Sequence, residues 1–243
     1  MITLKNISKN FGTKKILEDL SFHVNRSETL ALIGLSGSGK TTALKIICGL
    51  HLPDKGDVLI NKVALNQHNL PLVRRGLGYV IQDGGLFPHL TAMDNIALVG
   101  LEAGRTQIEI ETRIEELSKL TKISSDLLDK YPRELSGGQR QRIGIMRALF
   151  LDPEILILDE PMGALDPITR KELQTELKEL FKRLKKTVIL VTHDLYEASF
   201  FAERIILLQE GNIAQEGSMA ELLNTPRNSF VREFVNAQNR SLT

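Results

Sequence analysis

The stretch of sequence that most constrains this chain is residues 34–42, Gly-Leu-Ser-Gly-Ser-Gly-Lys-Thr-Thr. An apolar run precedes it at residues 29–33 and another follows at residues 43–47, so the pattern predicts a strand, a glycine loop and a helix. The spacing fits G-x-x-x-x-G-K-[ST], in which the glycines let successive backbone N–H groups point at one anion. The sequence therefore predicts a phosphate-binding loop in an α/β fold with a mainly parallel sheet.

The residues after the last glycine indicate what this loop binds. Lys40 reaches the β- and γ-phosphates of a nucleotide as a point charge, the Thr41 hydroxyl ligates Mg²⁺, and Thr42 adds a hydroxyl to the α- or β-phosphate. An ordinary Gly/Ser turn needs neither the preceding strand nor Lys-Thr at this position, so nucleotide binding is the better interpretation. The predicted nucleotide-binding residues of the loop are Gly34, Leu35, Ser36, Gly37, Ser38, Gly39, Lys40, Thr41 and Thr42.

Composition limits the alternatives. The chain has 243 residues, enough for one large α/β domain or one domain with an inserted subdomain. Its 31 basic residues against 30 acidic ones give no excess that favours nucleic acid. A single cysteine, Cys48, excludes a disulfide within the chain and fits a reducing compartment. No apolar run approaches the length of a membrane span, so we expect a cytoplasmic chain that meets a membrane only through a partner.

The chain changes character twice along its length. Residues 2–24 alternate apolar and polar positions around a turn, which predicts an antiparallel β pair near the N-terminus. Helical spacing replaces strand-like runs in residues 83–151, and strands resume at residue 155. We therefore predict a nucleotide-binding core formed by residues 1–82 and 152–243, with residues 83–151 inserted as a helical subdomain of the same domain.

Polar residues stand at the carboxyl ends of three predicted buried strands: Gln82, Asp159-Glu160 and His193. Ligands bind at that edge of open parallel sheets, so we expect these side chains to converge with the loop on the γ-phosphate. Asp159 would hold Mg²⁺ through water, Glu160 would accept a proton from an attacking water, and His193 would hydrogen-bond the γ-phosphate. Gln82 would touch both metal and water, which makes Thr41, Gln82 and Asp159 the predicted metal set. An isolated strand-end histidine is more often a satisfied turn residue, but the phosphate loop reverses that preference.

A second anion-binding helix end is predicted at Ser136, where Leu-Ser-Gly-Gly-Gln at residues 135–139 precedes a helical run. One nucleotide hardly needs two such ends. A dimer explains both, because the Ser-Gly-Gly end of one copy then caps the γ-phosphate held by the loop of the other. Taken alone, Ser-Gly-Gly is also a plain N-cap.

Together these motifs resemble those of the nucleotide-binding subunits of ATP-binding-cassette (ABC) transporters, and the resemblance covers almost the whole chain. The motifs occur in the family's order: Phe11, the loop of residues 34–42, Gln82, the signature of residues 135–139, Asp159-Glu160, the dimer-contact loop of Ala164, Leu165 and Asp166, and His193. The resemblance implies that two copies sandwich two ATP molecules head to tail, with Mg²⁺, and hydrolyse them.

The resemblance also assigns residues that the pattern alone leaves open. It implies that Ser136, Gly137, Gly138 and Gln139 act across the dimer interface and that Asp166 links the two nucleotide sites. Phe11 lies in a turn, where an aromatic ring either stacks on a base or staples the hairpin. The family more often has tyrosine there, and the resemblance implies that Phe11 stacks on adenine.

Three further stretches, residues 85–91, 163–170 and 230–234, resemble the ATPases of glycine betaine, choline and carnitine importers. The resemblance implies import of a quaternary amine osmoprotectant. Membrane permease subunits would dock near Gln82 and residues 86–89, and a substrate-binding protein would contact the permease. Many of those relatives carry paired regulatory domains after the cassette, whereas this sequence ends at residue 243, so we expect that mode of ionic-strength sensing to be absent.

Other ABC ATPases share these motifs. Those of DNA repair and chromosomes usually insert long coiled coils between loop and signature, but the stretch from Lys40 to Ser136 is too short for them and shows no sustained heptads. An exporter stays open because the direction of transport is encoded in the partner. A soluble assembly factor that works on a scaffold protein also stays open.

Overall fold

The computed structural model describes residues 1–163 and 165–240, which divide into two compact units. Unit 1 consists of residues 1–74 and the described residues from 187 onward, and unit 2 consists of the described residues between 75 and 186. Ala164 of the predicted dimer-contact loop lies outside the described residues.

Strands and helices alternate along most of the described chain. The strands are β1 (Ile2–Phe11), β2 (Lys14–Val24), β3 (Thr29–Gly34), β4 (Lys55–Ile60), β5 (Val63–Ala64), β6 (Leu77–Val80), β7 (Ile155–Asp159), β8 (Thr187–Thr192), β9 (Arg204–Gln209) and β10 (Asn212–Gly217). The α-helices are α1 (Lys40–Ile47), α2 (Leu70–Arg75), α3 (Ala92–Glu102), α4 (Gln107–Thr121), α5 (Gly137–Leu149), α6 (Pro167–Leu184), α7 (Leu195–Phe201), α8 (Met219–Asn224) and α9 (Ser229–Arg240).

An antiparallel sheet opens unit 1, in the order β2-β1-β4-β5. The pairing of β1 with β2 places Phe11 opposite Lys14 and confirms the antiparallel pair predicted for residues 2–24. Alternate residues of β2 from Leu20 to Val24 are buried, as the apolar and polar alternation predicts for a sheet with one covered face.

A second set of strands in unit 1 is mainly parallel, in the order β10-β9-β3-β8. β3 runs parallel to both β8 and β9, and β10 pairs antiparallel with β9. Every residue of β8 is buried, which is typical of a parallel strand covered on both faces. Helices α7, α8 and α9 pack on these strands through a core that includes Ile33, Leu195, Leu207, Leu222, Val231 and Phe234. Fully burying each such side chain contributes roughly 1.5–3 kcal/mol, so this core fixes the loop that follows β3.

Unit 2 combines one parallel strand pair with helices. β6 pairs with β7, with Gly78 opposite Leu156. Helices α3 and α4 begin with capping boxes at Thr91 and Thr106. The buried face of α4 includes Ile110, Ile114 and Leu117. These elements confirm the α/β class and the helical character predicted for residues 83–151.

β6 ends earlier than the sequence predicts. The strand stops at Val80, and Gln82 begins a tight 3-10 turn that extends to Gly85. Asp83, Gly84 and Gly85 all have positive φ angles, which glycine tolerates at no steric cost. Gln82 therefore belongs to a left-handed turn and not to the strand itself.

Cys48, at the end of α1, is buried with 5% of its surface exposed. Among the described residues, no helix combines the length and apolar character needed to cross a membrane.

Candidate functional site

The phosphate loop of unit 1 connects β3 to α1, as predicted. Gly39 stands at the N-cap of α1 with φ +102°, and a Cβ there would lie 2.9 Å from the Ile16 carbonyl oxygen and 2.6 Å from a methyl of Leu17. Both the backbone angle and the space therefore require glycine. No side chain caps α1 at this position, so its first N–H groups are left to a ligand or to water.

Lys40 is held over the loop by main-chain oxygens. Its Nζ donates to the carbonyl oxygens of Gly34 at 2.8 Å and Leu35 at 2.9 Å. Ser38 is buried, and its Oγ has no hydrogen-bond partner among the described residues. A buried hydroxyl in this state costs about 1–3 kcal/mol, which fits a loop that is completed by a bound anion.

The outer face of the loop and the first turn of α1 are open. Leu35, Ser36, Gly37 and Thr41 are exposed, and Thr42 is half-buried. The predicted magnesium ligand Thr41 is therefore accessible, and a left-handed glycine loop, an ammonium and an accessible hydroxyl together fit a triphosphate with its metal.

Phe11 stands at the end of β1, with 47% of its surface exposed. Its ring meets His51 edge-on, with the ring centroids 5.4 Å apart, and Lys9 Nζ lies 5.7 Å from its centroid. His51 follows α1 and donates its N–H to the Lys45 carbonyl. Phe11 is thus half open to solvent, and stacking on adenine stays a prediction.

His193 is exposed and lies between β8 and α7. Asp194 caps α7 by accepting from the N–H groups of Tyr196 and Glu197. Gln238 of α9 donates its Nε2 to the His193 carbonyl oxygen at 3.2 Å. The loop that carries the predicted γ-phosphate sensor is therefore held from both the following helix and α9.

In unit 2, the acidic pair lies at the end of β7. Asp159 is buried, and its Oδ2 accepts from the Tyr79 hydroxyl of the neighbouring β6 at 3.3 Å. Glu160 follows with φ +47°, a left-handed conformation that is uncommon for any residue with a side chain. Asp159 is the last residue of β7, so the two neighbouring carboxylates leave the main chain from different backbone conformations.

The structure brings Gln82 and Glu160 together. A Cβ built on Gly163 would lie 3.5 Å from Gln82 Nε2 and 3.6 Å from Glu160 Oε2, so both side chains border the same small residue. The amide predicted to orient water and the carboxylate predicted to accept its proton therefore lie on either side of Gly163 in unit 2.

The signature residues form the beginning of α5. Ser136 Oγ accepts from the Gln139 N–H at 3.3 Å, and Gln139 Oε1 accepts from the Ser136 N–H at 2.8 Å. Within one chain these two side chains thus form a capping box, the plain interpretation of Ser-Gly-Gly. Gly137 is half-buried, Gly138 is buried, and Ser136 is exposed at the tip.

A second helix begins beside the signature. A Cβ on Gly138 would lie 2.6 Å from the Thr169 Cγ2 of α6. Asp166 caps α6 by accepting from the N–H groups of Ile168 and Thr169, and the Thr169 side chain, followed by these backbone groups, lowers the pKa of Asp166 from its ordinary value. Asp166 is therefore a charged, exposed cap next to the signature tip.

Sequence reasoning missed two residues that hold this group. Tyr79 binds Asp159, and Arg147 of α5 binds the turn after Gln82. A hydroxyl-bearing residue in a strand next to the acidic one was a usable sign for Tyr79. No sequence pattern predicts the role of Arg147, because its hydrogen-bond acceptors are main-chain oxygens.

Comparison with known proteins identifies the family. The ABC transporter family model matches residues 17–163. The choline transport ATP-binding protein OpuBA of Bacillus subtilis is 44% identical over 97% of this chain and 62% of its own length. The glycine betaine uptake system ATP-binding protein YehX of Escherichia coli is 42% identical over 96% of this chain and 76% of its own length. Among solved structures, the dimeric post-hydrolysis ATP-binding cassette MJ0796, bound to ADP and Pi, is similar with a TM-score of 0.81 and 35% identity, over 90% of this chain and 99% of that one.

This chain belongs to the ABC transporter family and has the fold of its ATP-binding cassettes. It spans 62% of the length of the choline relative, less than two thirds.

Proposed function

We propose that this chain is the ATP-hydrolysing subunit of a membrane transporter that imports a small solute, a quaternary amine osmoprotectant such as glycine betaine, choline or carnitine. The observation that carries the proposal is the loop of residues 34–42, in which left-handed glycines lead into a helix that has no side-chain cap and begins with the anchored Lys40. Membership of the ABC transporter family supports hydrolysis coupled to transport. The relatives named for choline and glycine betaine transport support the substrate class.

In the proposed reaction, ATP and water yield ADP and phosphate. Lys40 neutralises charge on the phosphates, and Thr41, Gln82 and Asp159 would hold Mg²⁺, which would supply Lewis-acid stabilisation of the phosphate oxygens when bound. Glu160 accepts the proton of the attacking water, and His193 donates a hydrogen bond to the γ-phosphate. The shared border of Gln82 and Glu160 at Gly163 supports the assignment of the water-positioning amide and the base to one place.

A second copy of this chain completes the proposed site. The tip formed by Ser136, Gly137, Gly138 and Gln139 caps the γ-phosphate held by the loop of the other copy, and Asp166 connects the two sites. The similar cassette structure is a dimer bound to ADP and Pi, which supports this arrangement. Each ATP then favours the closed dimer, and its hydrolysis removes that preference.

The remaining partners are integral membrane permease subunits and a substrate-binding protein that contacts them. We propose that the permease docks near Gln82 and residues 86–89, which holds this chain at the cytoplasmic face of the membrane. In this proposal residues 83–151 act as the inserted helical subdomain and residues 1–82 and 152–243 as the core. The exposed side chains of Phe87 and His89 support docking at this segment.

The test is reconstitution of the chain, with the membrane proteins that copurify with it, into liposomes. Phosphate release is measured with choline, glycine betaine, carnitine and, as an unrelated solute, sulfate. We expect at least one quaternary amine to stimulate hydrolysis and to accumulate inside in an ATP-dependent manner, and Lys40→Ala to abolish both.

Each contrary result overturns a separate part of the proposal. Stimulation by sulfate alone would reject the substrate class, and ATP-driven efflux would reject import. Hydrolysis by a chain that copurifies only with soluble proteins would favour the assembly-factor alternative.

A further inference from the structure

The second half of α5 carries an arginine that grips the turn after Gln82. Arg147 Nη2 donates to the carbonyl oxygens of Gly84 and Gly85, both at 2.9 Å. Its guanidinium also lies 5.9 Å from the Phe87 ring centroid. The same side chain therefore contacts both the left-handed turn and Phe87, which belongs to the segment proposed to dock the permease, residues 86–89.

The same turn lies against the backbone of α5. A Cβ on Gly144 would lie 2.7 Å from Gly84 Cα and 2.8 Å from its carbonyl oxygen, and a Cβ on Gly84 would lie 2.5 Å from the Arg140 carbonyl oxygen. No side chain fits between turn and helix at these positions. The loop at Gly84 and helix α5 are thus in direct main-chain contact. Gly144 lies about one helical turn before Arg147 along α5.

Asn95 of α3 adds hydrogen bonds to the docking segment. It is fully buried, and its Nδ2 donates to the carbonyl oxygens of Phe87, Leu90 and Thr91 while its Oδ1 accepts from the Phe87 N–H at 2.7 Å. Arg147 Nη1 lies 3.5 Å from the same Oδ1. Arg147 and Asn95 therefore hold residues 84–91 mainly by their main-chain atoms, which leaves the exposed side chains of this segment free for a partner.

Stability alone does not account for an arginine at this position. Arg147 is partly buried, burial lowers the pKa of its guanidinium, and no carboxylate pairs with it in the part of the chain that the structure describes. Desolvating a charge without an acid partner is costly, and an apolar side chain of similar length commonly serves stability equally well. Both hydrogen bonds come from Nη2, whose two N–H groups are fixed in the guanidinium plane and therefore suit two adjacent carbonyl oxygens that must be held in one orientation.

We infer that Arg147 is a positioning residue: with Gly144 and Asn95 it joins the Gln82 turn, the docking segment and the signature helix α5 into one mechanical element. A displacement imposed on residues 86–89 by a membrane partner then moves Gln82 and the signature tip together. This inference rests on the proposed function, because Gln82 and the signature are the groups that it positions.

The first test is hydrogen exchange on the whole protein, which requires no catalysis. The reporters are the Gly84 N–H, bonded to the Ile81 carbonyl at 3.0 Å, and the Phe87 N–H, bonded to Asn95. In Arg147→Met we expect both amides to exchange on the order of tenfold faster, while the thermal unfolding midpoint stays near that of the wild type.

Arg142→Met is the matched control, because it removes an arginine from the same helix. Arg142 pairs with Glu176, at 2.8 Å from Nη2 to Oε2, and its guanidinium shows no hydrogen bond to the turn among the described residues. We expect its variant to leave the exchange of Gly84 and Phe87 unchanged. Equal acceleration in both variants would mean general loosening of α5 and would overturn the inference.

The second test separates positioning from folding by ATP turnover. We expect Arg147→Met to lower kcat on the order of 10-fold to 100-fold with little change in KM for ATP, and Arg147→Lys to recover part of it. In a Gln82→Ala background, Arg147→Met should lower kcat little further, because the Gln82 side chain that Arg147 positions is already absent. An equal loss in both backgrounds would show a structural role only.

The two levels of failure are distinguishable. A wild-type protein without ATPase activity would reject the proposed function, and the exchange experiment would still test the single mechanical element. An active protein whose Arg147→Met variant keeps wild-type exchange and turnover would reject this inference alone. If Arg147→Met does not fold, Arg147→Lys carries both tests, because a lysine ammonium on its flexible stem can donate to these carbonyl oxygens but does not fix them in the plane of a guanidinium.

Discussion

Glu160 combines a predicted catalytic role with a costly backbone conformation. Its φ of +47° is one that glycine adopts freely, whereas a glutamate gives up on the order of 1–3 kcal/mol to hold it. The residue borders Gly163 together with Gln82, so the conformation places the carboxylate beside the amide that is predicted to orient water. Strain retained at this position is the expected mark of a site in which orientation matters more than local stability.

Glu160→Gln tests the base directly. The amide keeps the size of the side chain but cannot accept the proton of water, so we expect phosphate release to fall by about 100-fold to 10,000-fold while ATP binding persists. The trapped ATP should also shift the protein to a dimer in size-exclusion chromatography. Glu172→Gln, at an exposed position of α6, serves as the control. Hydrolysis near the wild-type rate in Glu160→Gln would remove the assignment of the base.

At the scale of helices and turns, sequence reasoning succeeded where the causes are local. The capping boxes at Thr91, Thr106 and Ser218 were predictable because both partners lie within three residues of each other. The hydrogen bond from Arg147 to Gly84 was not predictable, because donor and acceptor are 63 residues apart and the acceptor is a main-chain oxygen. The early end of β6 had a visible sign, the pair of glycines that follows Asp83, which favours a left-handed turn over a continued strand.

The strands of unit 1 are joined by an ion-pair cluster that makes their stability depend on pH. Arg204 Nε donates to Glu28 Oε1 at 2.6 Å, and the guanidinium also contacts Glu216 and the His23 carbonyl oxygen. Although burial alone would raise the pKa of Glu28, hydrogen bonds and charge from Arg204, together with the Asn25 N–H, outweigh burial and lower it below 4.5. The depressed pKa means that the folded state favours the ionised carboxylate.

The lowered pKa of Glu28 determines how the free energy of unfolding changes with pH. The contribution of Glu28 is fully present above the ordinary glutamate pKa of 4.5 and is lost as pH falls through the lower folded value. We therefore expect acid to reduce the free energy of unfolding less steeply in Glu28→Gln than in the wild type. Urea titrations between pH 7 and acid pH measure the difference, with Glu18→Gln at an exposed position of β2 as the control. Parallel pH profiles for wild type and Glu28→Gln would contradict the prediction.

At the scale of the whole molecule, the predicted active form contains two copies. Ser136 is exposed at the tip of α5, next to the buried Gly138 and the Asp166 cap. Its capping box is satisfied within one chain, so the start of α5 does not need a second copy to pair these backbone N–H groups. The nucleotide site, by contrast, is predicted to need the tip of a second copy.

Ser136→Arg tests this requirement. The long charged side chain should block closure of the dimer while leaving the phosphate loop unchanged, so we expect ATP binding to persist and turnover to fall by at least about 100-fold. Sedimentation with ATP in the Glu160→Gln background should show monomers when Ser136→Arg is added. Ser136→Thr keeps the capping hydroxyl and is the control for damage to α5. Full ATPase activity in Ser136→Arg would argue against a site completed by the second copy.

The burial of Cys48 has a practical consequence for following such a closure. The chain has no other cysteine, and this one is 5% exposed, so maleimide dyes should leave the native protein largely unmodified. A single cysteine introduced at Ile108, which is 77% exposed, would then carry one fluorophore per copy without any prior removal of native thiols. Energy transfer between two labelled copies would report their approach in real time.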